Sequence, residues 1–159
     1  GEHMAHNAVG AIAVAGVMGL DLQRAADAIS MSVLSEMRMQ HRTAISGALI
    51  IDDSYNANPA SMAAALHALN ATKASRRIAV LGVMAELSEP EQDHLQISRL
   101  AKQLGIEVIA VETDMYEVQS RTRDEVAAML STVENTATIL IKGSRVAQLE
   151  KLVAILATP

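Results

Sequence analysis

The chain has 159 residues, a formal net charge of −5, 50% hydrophobic residues, two Tyr, and no Trp, Phe or Cys. This length is that of one ordinary domain with a hydrophobic core. The lack of cysteine excludes disulfides, cysteine-ligated zinc, iron–sulfur clusters and a thiol nucleophile. With no basic run and few aromatic rings, nucleic-acid binding is not expected. The uncharged run Ala8–Leu20 is too short to span a bilayer, and the start lacks a signal-peptide pattern, so a soluble cytoplasmic protein is expected.

Two helices are predicted at the start of the chain. The stretch Met4–Gly19 is apolar on nearly every side, which predicts a buried helix that ends at its last glycine. Asp21 is a typical N-cap for a second helix that reaches about Ser30. The joint between this helical part and the rest is expected near Ser30–Met37, because strands and helices alternate from there on.

The remainder predicts an α/β fold. Arg38–Ile51 surrounds the turn signal Ser46-Gly47, which predicts a hairpin that adds an antiparallel strand at Arg38–Ile45. Four strand-then-helix units predict a mostly parallel sheet with helices on both faces. The predicted strands are Ala48–Ile51, Ile78–Leu81, Ile106–Val111 and Ala137–Ile141, and the predicted helices are Pro59–Thr72, Pro90–Leu104, Arg123–Leu130 and Arg145–Leu156.

Polar clusters follow all four of these strands, at residues 52–58, 82–86, 112–114 and 142–145. Ligands of open α/β sheets bind beyond the carboxyl ends of the strands, so a binding edge is predicted there. Turn formation and helix capping are the alternative for any single loop, although 52–58 is longer than a cap requires. The run Lys142-Gly143-Ser144-Arg145 suits an anion at a helix start, or alternatively only solvates a helix end.

Common cofactor motifs are missing. The sequence contains neither a G-x-x-x-x-G-K-[ST] loop nor G-x-G-x-x-G, so the phosphates of any bound nucleotide need another cradle. His3 and Asn7 share a helix face, where an ordinary surface role is the simpler interpretation. The other histidines do not cluster and are expected at surface or half-buried positions: His6, His41, His67 and His94.

One string is specific to a known family. The residues 52–59, D-D-S-Y-N-A-N-P, resemble the signature of the Mur ligase family. Four further segments agree in order and spacing: G-x-H-x-x-x-N-A at 1–8, R-M at 38–39, and two loops at 81–87 and 142–145. The resemblance spans essentially the whole chain. Val83, Ser88 and Ser98 depart from the family pattern.

The resemblance implies a fragment of a three-domain enzyme. Residues 1–35 match the helical end of a central ATP-binding domain, and 36–159 match a C-terminal Rossmann-like domain. The match is closest to members that join D-Ala-D-Ala to UDP-N-acetylmuramoyl-tripeptide. In that reaction ATP phosphorylates the tripeptide carboxylate, the dipeptide amine attacks the acyl phosphate, and Mg²⁺ screens the phosphate charge. Most Mg²⁺ ligands are expected in upstream domains of the same chain, and the fragment alone is expected to be inactive.

The resemblance also implies residue roles. Asn7 would bond the adenine, His3 would lie near the ribose or phosphates, and Asp53 would bond the ribose hydroxyls. Arg38 would face the γ-phosphate, where negative charge develops. The residues implied in the dipeptide pocket are Asn56, Asn58, Lys142, Ser144 and Arg145, with Lys142 or Arg145 suited to its carboxylate. None is implied as a metal ligand.

Two other functions fit parts of the pattern. Asp52, Asp53 and Lys142 are also typical of a receiver-like signalling domain, although no aspartate ends the strand at Leu81. A stand-alone Rossmann-like binding module is the other alternative. Phosphorylation by acetyl phosphate would favour the receiver, and titration with ATP and D-Ala-D-Ala would test the module.

Overall fold

The computed structural model describes residues 2–31 and 37–158, with side chains from residue 5 onward in the first range. By its internal contacts the chain divides into two compact units, Gly1–Ser35 and Glu36–Pro159. The predicted joint at Ser30–Met37 falls largely outside the described residues.

The first unit is a pair of helices, α1 (Glu2–Val17) and α2 (Leu22–Ser30). As predicted, Asp21 caps α2, and its carboxylate accepts a hydrogen bond of 2.8 Å from the backbone N–H of Arg24. The prediction that α1 is buried is wrong. Its described apolar side chains are largely exposed, with Val14 60% and Val17 90% accessible. The physical reason is that two short helices cannot cover an all-round apolar surface within their own unit.

The second unit contains a six-stranded sheet in the order β1-β2-β6-β3-β4-β5. All strand pairs are parallel except the antiparallel pair of β1 with β2, as the sequence predicts. Strands are β1 (Gln40–Thr43), β2 (Leu49–Asp53), β3 (Arg77–Leu81), β4 (Glu107–Val111), β5 (Ser120–Arg121) and β6 (Thr138–Lys142). Helices are α3 (Pro59–Asn70), α4 (Pro90–Gln103), α5 (Arg123–Leu130) and α6 (Glu150–Leu156).

Helices cover both faces of this sheet, which confirms the predicted fold class. The alternation of buried side chains along β6 explains why: Ile139 and Ile141 belong to one core cluster and Leu140 to the other. On the first face they pack with residues of α5 and α6, among them Leu130 and Leu152. On the second face the cluster contains residues of α3 and α4, among them Leu66 and Ile97.

Two elements differ from the sequence prediction. The predicted helix Arg145–Leu156 is interrupted, because a 3-10 turn at Arg145–Ala147 is followed by Gln148 with a left-handed φ of 49°. The break lets Leu149 lie fully buried against the sheet before α6 begins. Strand β5 has only two residues and no apolar alternation, so its pairing with β4 is set by tertiary contacts.

Candidate ligand-binding edge

The carboxyl ends of three neighbouring strands meet at one edge of the sheet. In register, Asp53 of β2 pairs with Lys142 of β6, and Lys142 pairs with Leu81 of β3. The loops 52–58, 82–86 and 142–145 therefore leave the sheet side by side. The sheet brings together these three predicted polar clusters, because parallel strands share the direction of their carboxyl ends. We call this region the carboxyl edge.

Lys142 and Asp53 form a direct ion pair in this edge. The ammonium of Lys142 lies 2.6 Å from Asp53 Oδ2 and donates a second hydrogen bond, of 2.9 Å, to the Asn56 carbonyl. Lys142 is 2% exposed. Asp53 Oδ1 accepts a hydrogen bond of 3.1 Å from the backbone N–H of Met39. The pair thus ties together β2, β6 and the segment that precedes β1.

The neighbouring Asp52 faces the opposite side, since successive side chains of a strand alternate. It is 1% exposed and accepts hydrogen bonds from the Ser54 hydroxyl at 2.7 Å and from Arg42 Nε at 3.4 Å. Arg42, Asp52 and Glu150 line an open groove of about 460 Å³. Sequence reasoning missed Arg42, because only the β1–β2 register shows that it lies close to Asp52.

Arg38 lies at the same edge and contacts an aromatic ring. Its guanidinium carbon is 4.3 Å from the centroid of the Tyr55 ring. The backbone on both sides of Arg38 is left-handed, with φ of 61° at Met37 and 50° at Met39. The Tyr55 N–H donates a hydrogen bond of 3.1 Å to the Met37 carbonyl, which joins the two loops.

We call residues 52–58 the signature loop. Its two asparagines use their side-chain oxygens in hydrogen bonds to backbone N–H groups nearby in the sequence. Asn58 caps α3, because its side chain accepts a hydrogen bond of 2.8 Å from the Ser61 N–H in a capping box. Asn56 is exposed, and its side-chain oxygen accepts from the Ala57 N–H at 2.9 Å. The Asn58 side-chain oxygen is therefore used to cap a helix, which is the alternative to ligand binding that the sequence left open for this loop.

The loop after β6 differs from the helix start that the sequence suggested. Residues 145–147 form only one 3-10 turn, so the dipole of a long helix does not act there. Ser144 is 2% exposed, and its hydroxyl has no hydrogen-bond partner among the described residues. Arg145 is exposed, with Nη1 3.5 Å from Met37 Sδ and 3.9 Å from Glu150 Oε1.

Two buried side chains, His94 and Tyr116, hold the loop after β3 in place through hydrogen bonds to its backbone. The Met84 N–H donates to His94 Nε2 at 2.8 Å, and His94 Nδ1 lies 2.6 Å from the Pro90 carbonyl. The Tyr116 hydroxyl donates a hydrogen bond of 2.8 Å to the Gly82 carbonyl. Burial raises the pKa of Tyr116 far above its usual value. The expectation of a surface or half-buried His94 is wrong, because the residue is fully buried.

Ser98, one of the departures from the family pattern, supports the same pair. Its hydroxyl donates a hydrogen bond of 2.7 Å to the Tyr116 carbonyl. In the first unit, Asn7 is exposed on α1, whereas the side chain of His3 lies outside the described residues. No group of three or more His, Cys, Asp or Glu side chains that could hold a metal occurs in the described part of the chain.

The mostly parallel sheet, its two helical layers and the polar carboxyl edge define an α/β domain of the Rossmann-like class. The chain belongs to the Mur ligase family: the family described as "Mur ligase, glutamate ligase domain" matches residues 37–145. The predicted family is thereby confirmed. The receiver-like alternative is disfavoured, because the central strands β6 and β3 end at Lys142 and Leu81 and offer no phosphoacceptor aspartate.

Relatives with a named activity share this domain. The chain is 42% identical over 118 residues to UDP-N-acetylmuramoyl-tripeptide–D-alanyl-D-alanine ligase of Mycobacterium tuberculosis strain H37Rv, covering 70% of this chain and 23% of that protein. The ligase of the same name from Escherichia coli K12 is 37% identical over 118 residues, covering 66% of this chain and 26% of that protein. A crystal structure of MurF from Acinetobacter baumannii superposes with a TM-score of 0.84 at 28% identity, covering 97% of this chain and 37% of that chain. The chain therefore spans between 23% and 37% of the length of these relatives.

Among the described residues, none of the helices combines the length and the apolar character that a transmembrane span requires.

Proposed function

We propose that this chain is the C-terminal part of an ATP-dependent ligase that joins D-Ala-D-Ala to UDP-N-acetylmuramoyl-tripeptide in peptidoglycan precursor synthesis. The observation that carries the proposal is the 42% identity to the mycobacterial ligase of that name. The structural agreement with MurF over 97% of the chain supports it. In this proposal the reaction takes place in the cytoplasm.

In this proposal the two units have different origins. Gly1–Ser35 belongs to the central ATP-binding domain, and Glu36–Pro159 is the C-terminal ligase domain. The exposed apolar side chains of α1, such as Val9 and Val14, support this assignment, because helices of this composition are normally covered in a larger domain. His3 and Asn7 would then contribute to the nucleotide site from the first unit.

The carboxyl edge can perform the anion-binding part of the reaction. Arg38 makes no hydrogen bond or ion pair with other described residues, so its N–H donors remain available for the transferred phosphoryl group. The Asp53 carboxylate accepts hydrogen bonds from the Lys142 ammonium and from the backbone N–H of Met39, the residue after Arg38. In this proposal it would also bond the ribose hydroxyls. ATP supplies the phosphoryl group and Mg²⁺ screens its charge, and the proposal assigns no Mg²⁺ ligand to this chain.

The dipeptide pocket would use the loops after β2 and β6. Asn56 and Arg145 are exposed there, and the Ser144 hydroxyl still lacks a partner among the described residues. Because the Lys142 ammonium is already engaged by Asp53 and Asn56, Arg145 is the better candidate for the dipeptide carboxylate. Asn58 would shape the pocket from the start of α3.

The test compares the 159-residue chain with the three-domain polypeptide that the proposal requires, expressed from the source gene. Phosphate release from ATP is measured with UDP-N-acetylmuramoyl-tripeptide present, with and without D-Ala-D-Ala. We expect dipeptide-dependent turnover only from the longer polypeptide, because the chain contains no Walker A loop to hold the phosphates. Turnover by the 159-residue chain alone, or an upstream sequence without G-x-x-G-K-[ST], would contradict the proposal.

A further inference from the structure

Arg38 differs from the other paired arginines of the chain in the chemistry of its partner. Arg42, Arg76, Arg123 and Arg145 each face a carboxylate, at 3.4, 2.7, 2.8 and 3.9 Å respectively. Arg38 instead lies over the face of Tyr55, 4.3 Å from the ring centroid. A carboxylate partner neutralises a guanidinium and occupies its donors, whereas an aromatic face does neither. The charge and the five N–H donors of Arg38 are therefore still available to bind an anion.

The backbone around Arg38 is fixed to the same loop that carries the ring. The Tyr55 N–H donates to the Met37 carbonyl at 3.1 Å, and the Met39 N–H donates to Asp53 Oδ1, also at 3.1 Å. Met37 and Met39 are both left-handed, a conformation that non-glycine residues keep only where surrounding contacts enforce it. The segment is thus held on both sides of Arg38.

An exposed arginine on a fixed backbone still rotates about several side-chain bonds. The contact with Tyr55 is the one described interaction that limits this freedom. Tyr55 itself is 41% exposed, so the ring is not part of the hydrophobic core. Its position is therefore better explained by its contact with Arg38 than by the burial of its ring in the core.

We propose that Tyr55 is a positioning residue, which holds the Arg38 guanidinium at the carboxyl edge, charged and with free donors, ready for a phosphoryl group. The identity of that group as the one transferred from ATP rests on the proposed function. The orientation of Arg38 by the Tyr55 ring does not depend on the proposed function. Direct stacking of Tyr55 on the nucleotide base is the competing role that the test separates.

The first arm of the test is a double-mutant cycle in the full-length ligase. Tyr55→Leu removes the ring and Tyr55→Phe keeps it, while Arg38→Ala removes the guanidinium. We expect Tyr55→Leu to lower kcat three- to tenfold with less than a twofold change in the KM for ATP. Tyr55→Phe, which keeps the ring, should have a kcat close to that of the wild type. In the Arg38→Ala background, Tyr55→Leu should cause no further loss, because its effect passes through Arg38.

Two outcomes of this arm would overturn the inference. Losses that multiply in the double variant would mean that Tyr55 acts independently of Arg38. A raised KM for ATP with unchanged kcat would indicate that the ring contacts the bound nucleotide directly.

The second arm uses the 159-residue chain without ligand. The ¹⁵N–¹H heteronuclear NOE of the Arg38 Nε–H group is measured in the wild type, Tyr55→Phe and Tyr55→Leu, with Arg123, paired to Glu112, as internal control. We expect ordered values in the first two and a mobile group in Tyr55→Leu. Equal values in all three would refute the positioning role. If the wild-type full-length polypeptide makes no product, the proposed function fails, and this arm alone decides the inference.

Discussion

Lys142 and Asp53 depend on each other at the carboxyl edge. The ammonium is buried between the Asp53 carboxylate and the Asn56 carbonyl, and two of its three donors are used. A buried charge that loses its partner is strongly destabilising, whereas removing both charges is far less so. Each charge of the pair therefore requires the other, whatever the loop binds.

We expect Lys142→Met to lower the free energy of unfolding by about 3 kcal/mol, because Asp53 would lose the cation that neutralises it. The double variant Lys142→Met/Asp53→Asn should recover part of that loss. Both are measured by urea denaturation, with exposed Lys151→Met as control, for which a change within about 0.5 kcal/mol is expected. An equally small effect of Lys142→Met would show that Asp53 does not depend on the Lys142 charge.

Tyr116 makes the chain sensitive to alkaline pH. Burial raises its pKa above the unfolded value of about 10, so the folded state keeps a proton that the unfolded state loses. Its contribution to stability is therefore fully present below about pH 10 and falls as the pH rises further. In Tyr55→Phe, where Tyr116 is the remaining tyrosine, phenolate absorbance should appear only together with unfolding seen by circular dichroism. A phenolate signal from the folded protein would contradict this.

At the scale of elements, the loops after β3 and β6 depend on two glycines that approach each other closely. A Cβ added to Gly82 would lie 2.7 Å from the Ala147 Cβ and 3.2 Å from Leu149 Cδ1. A Cβ on Gly143 would lie 3.1 Å from the Gly82 Cα. The 3-10 turn and Leu149 pack against the space that these glycines leave open. This packing explains why the C-terminal helix begins only at Glu150.

We expect Gly82→Ala to lower the free energy of unfolding by about 1–3 kcal/mol, because Ala147 and the segment after it would have to move. The control is Gly10→Ala in α1, where an added Cβ meets no atom within 4 Å. That change should be neutral or slightly stabilising, since alanine favours helix. Urea denaturation checks both, and similar effects of the two variants would show that the close approach at Gly82 is unimportant.

At the scale of the whole molecule, the buried side chains among the described residues all belong to the second unit. The buried residues among those described lie between Ala44 and Leu156, and none of the described side chains of residues 5–31 is buried. The two cores on either side of the sheet therefore account for the stability of Glu36–Pro159. The described residues of the first unit form no comparable core.

A chain that begins at Glu36 should unfold cooperatively, at nearly the same urea concentration as the 159-residue chain. In the intact chain, the amide hydrogens of α1 should exchange with solvent much faster than those of β6, because local stability follows burial. Hydrogen exchange and circular dichroism make these measurements. Strong protection of α1, or failure of the shorter chain to fold, would contradict the prediction.

The sequence by itself determined the fold class, the family and nearly every element. Its signals were local: Asn58 before Pro59 marks a capped helix, and short apolar runs between polar loops mark buried parallel strands. The signature loop 52–58 carried the family in the same way, because its residues are contiguous. The predicted clustering of polar loops at one sheet edge also followed, since parallel strands share their direction.

Only the tertiary structure decided the partners of these residues. The Lys142–Asp53 pair joins positions 89 apart, and Tyr116 reaches the Gly82 carbonyl across 34 positions, so no local pattern announces either contact. The burial of His94, the break at Gln148 and the exposure of α1 depend in the same way on which surfaces are covered. Local sequence sets the periodicity and the caps, whereas burial and pairing depend on residues that are distant along the chain and close in space.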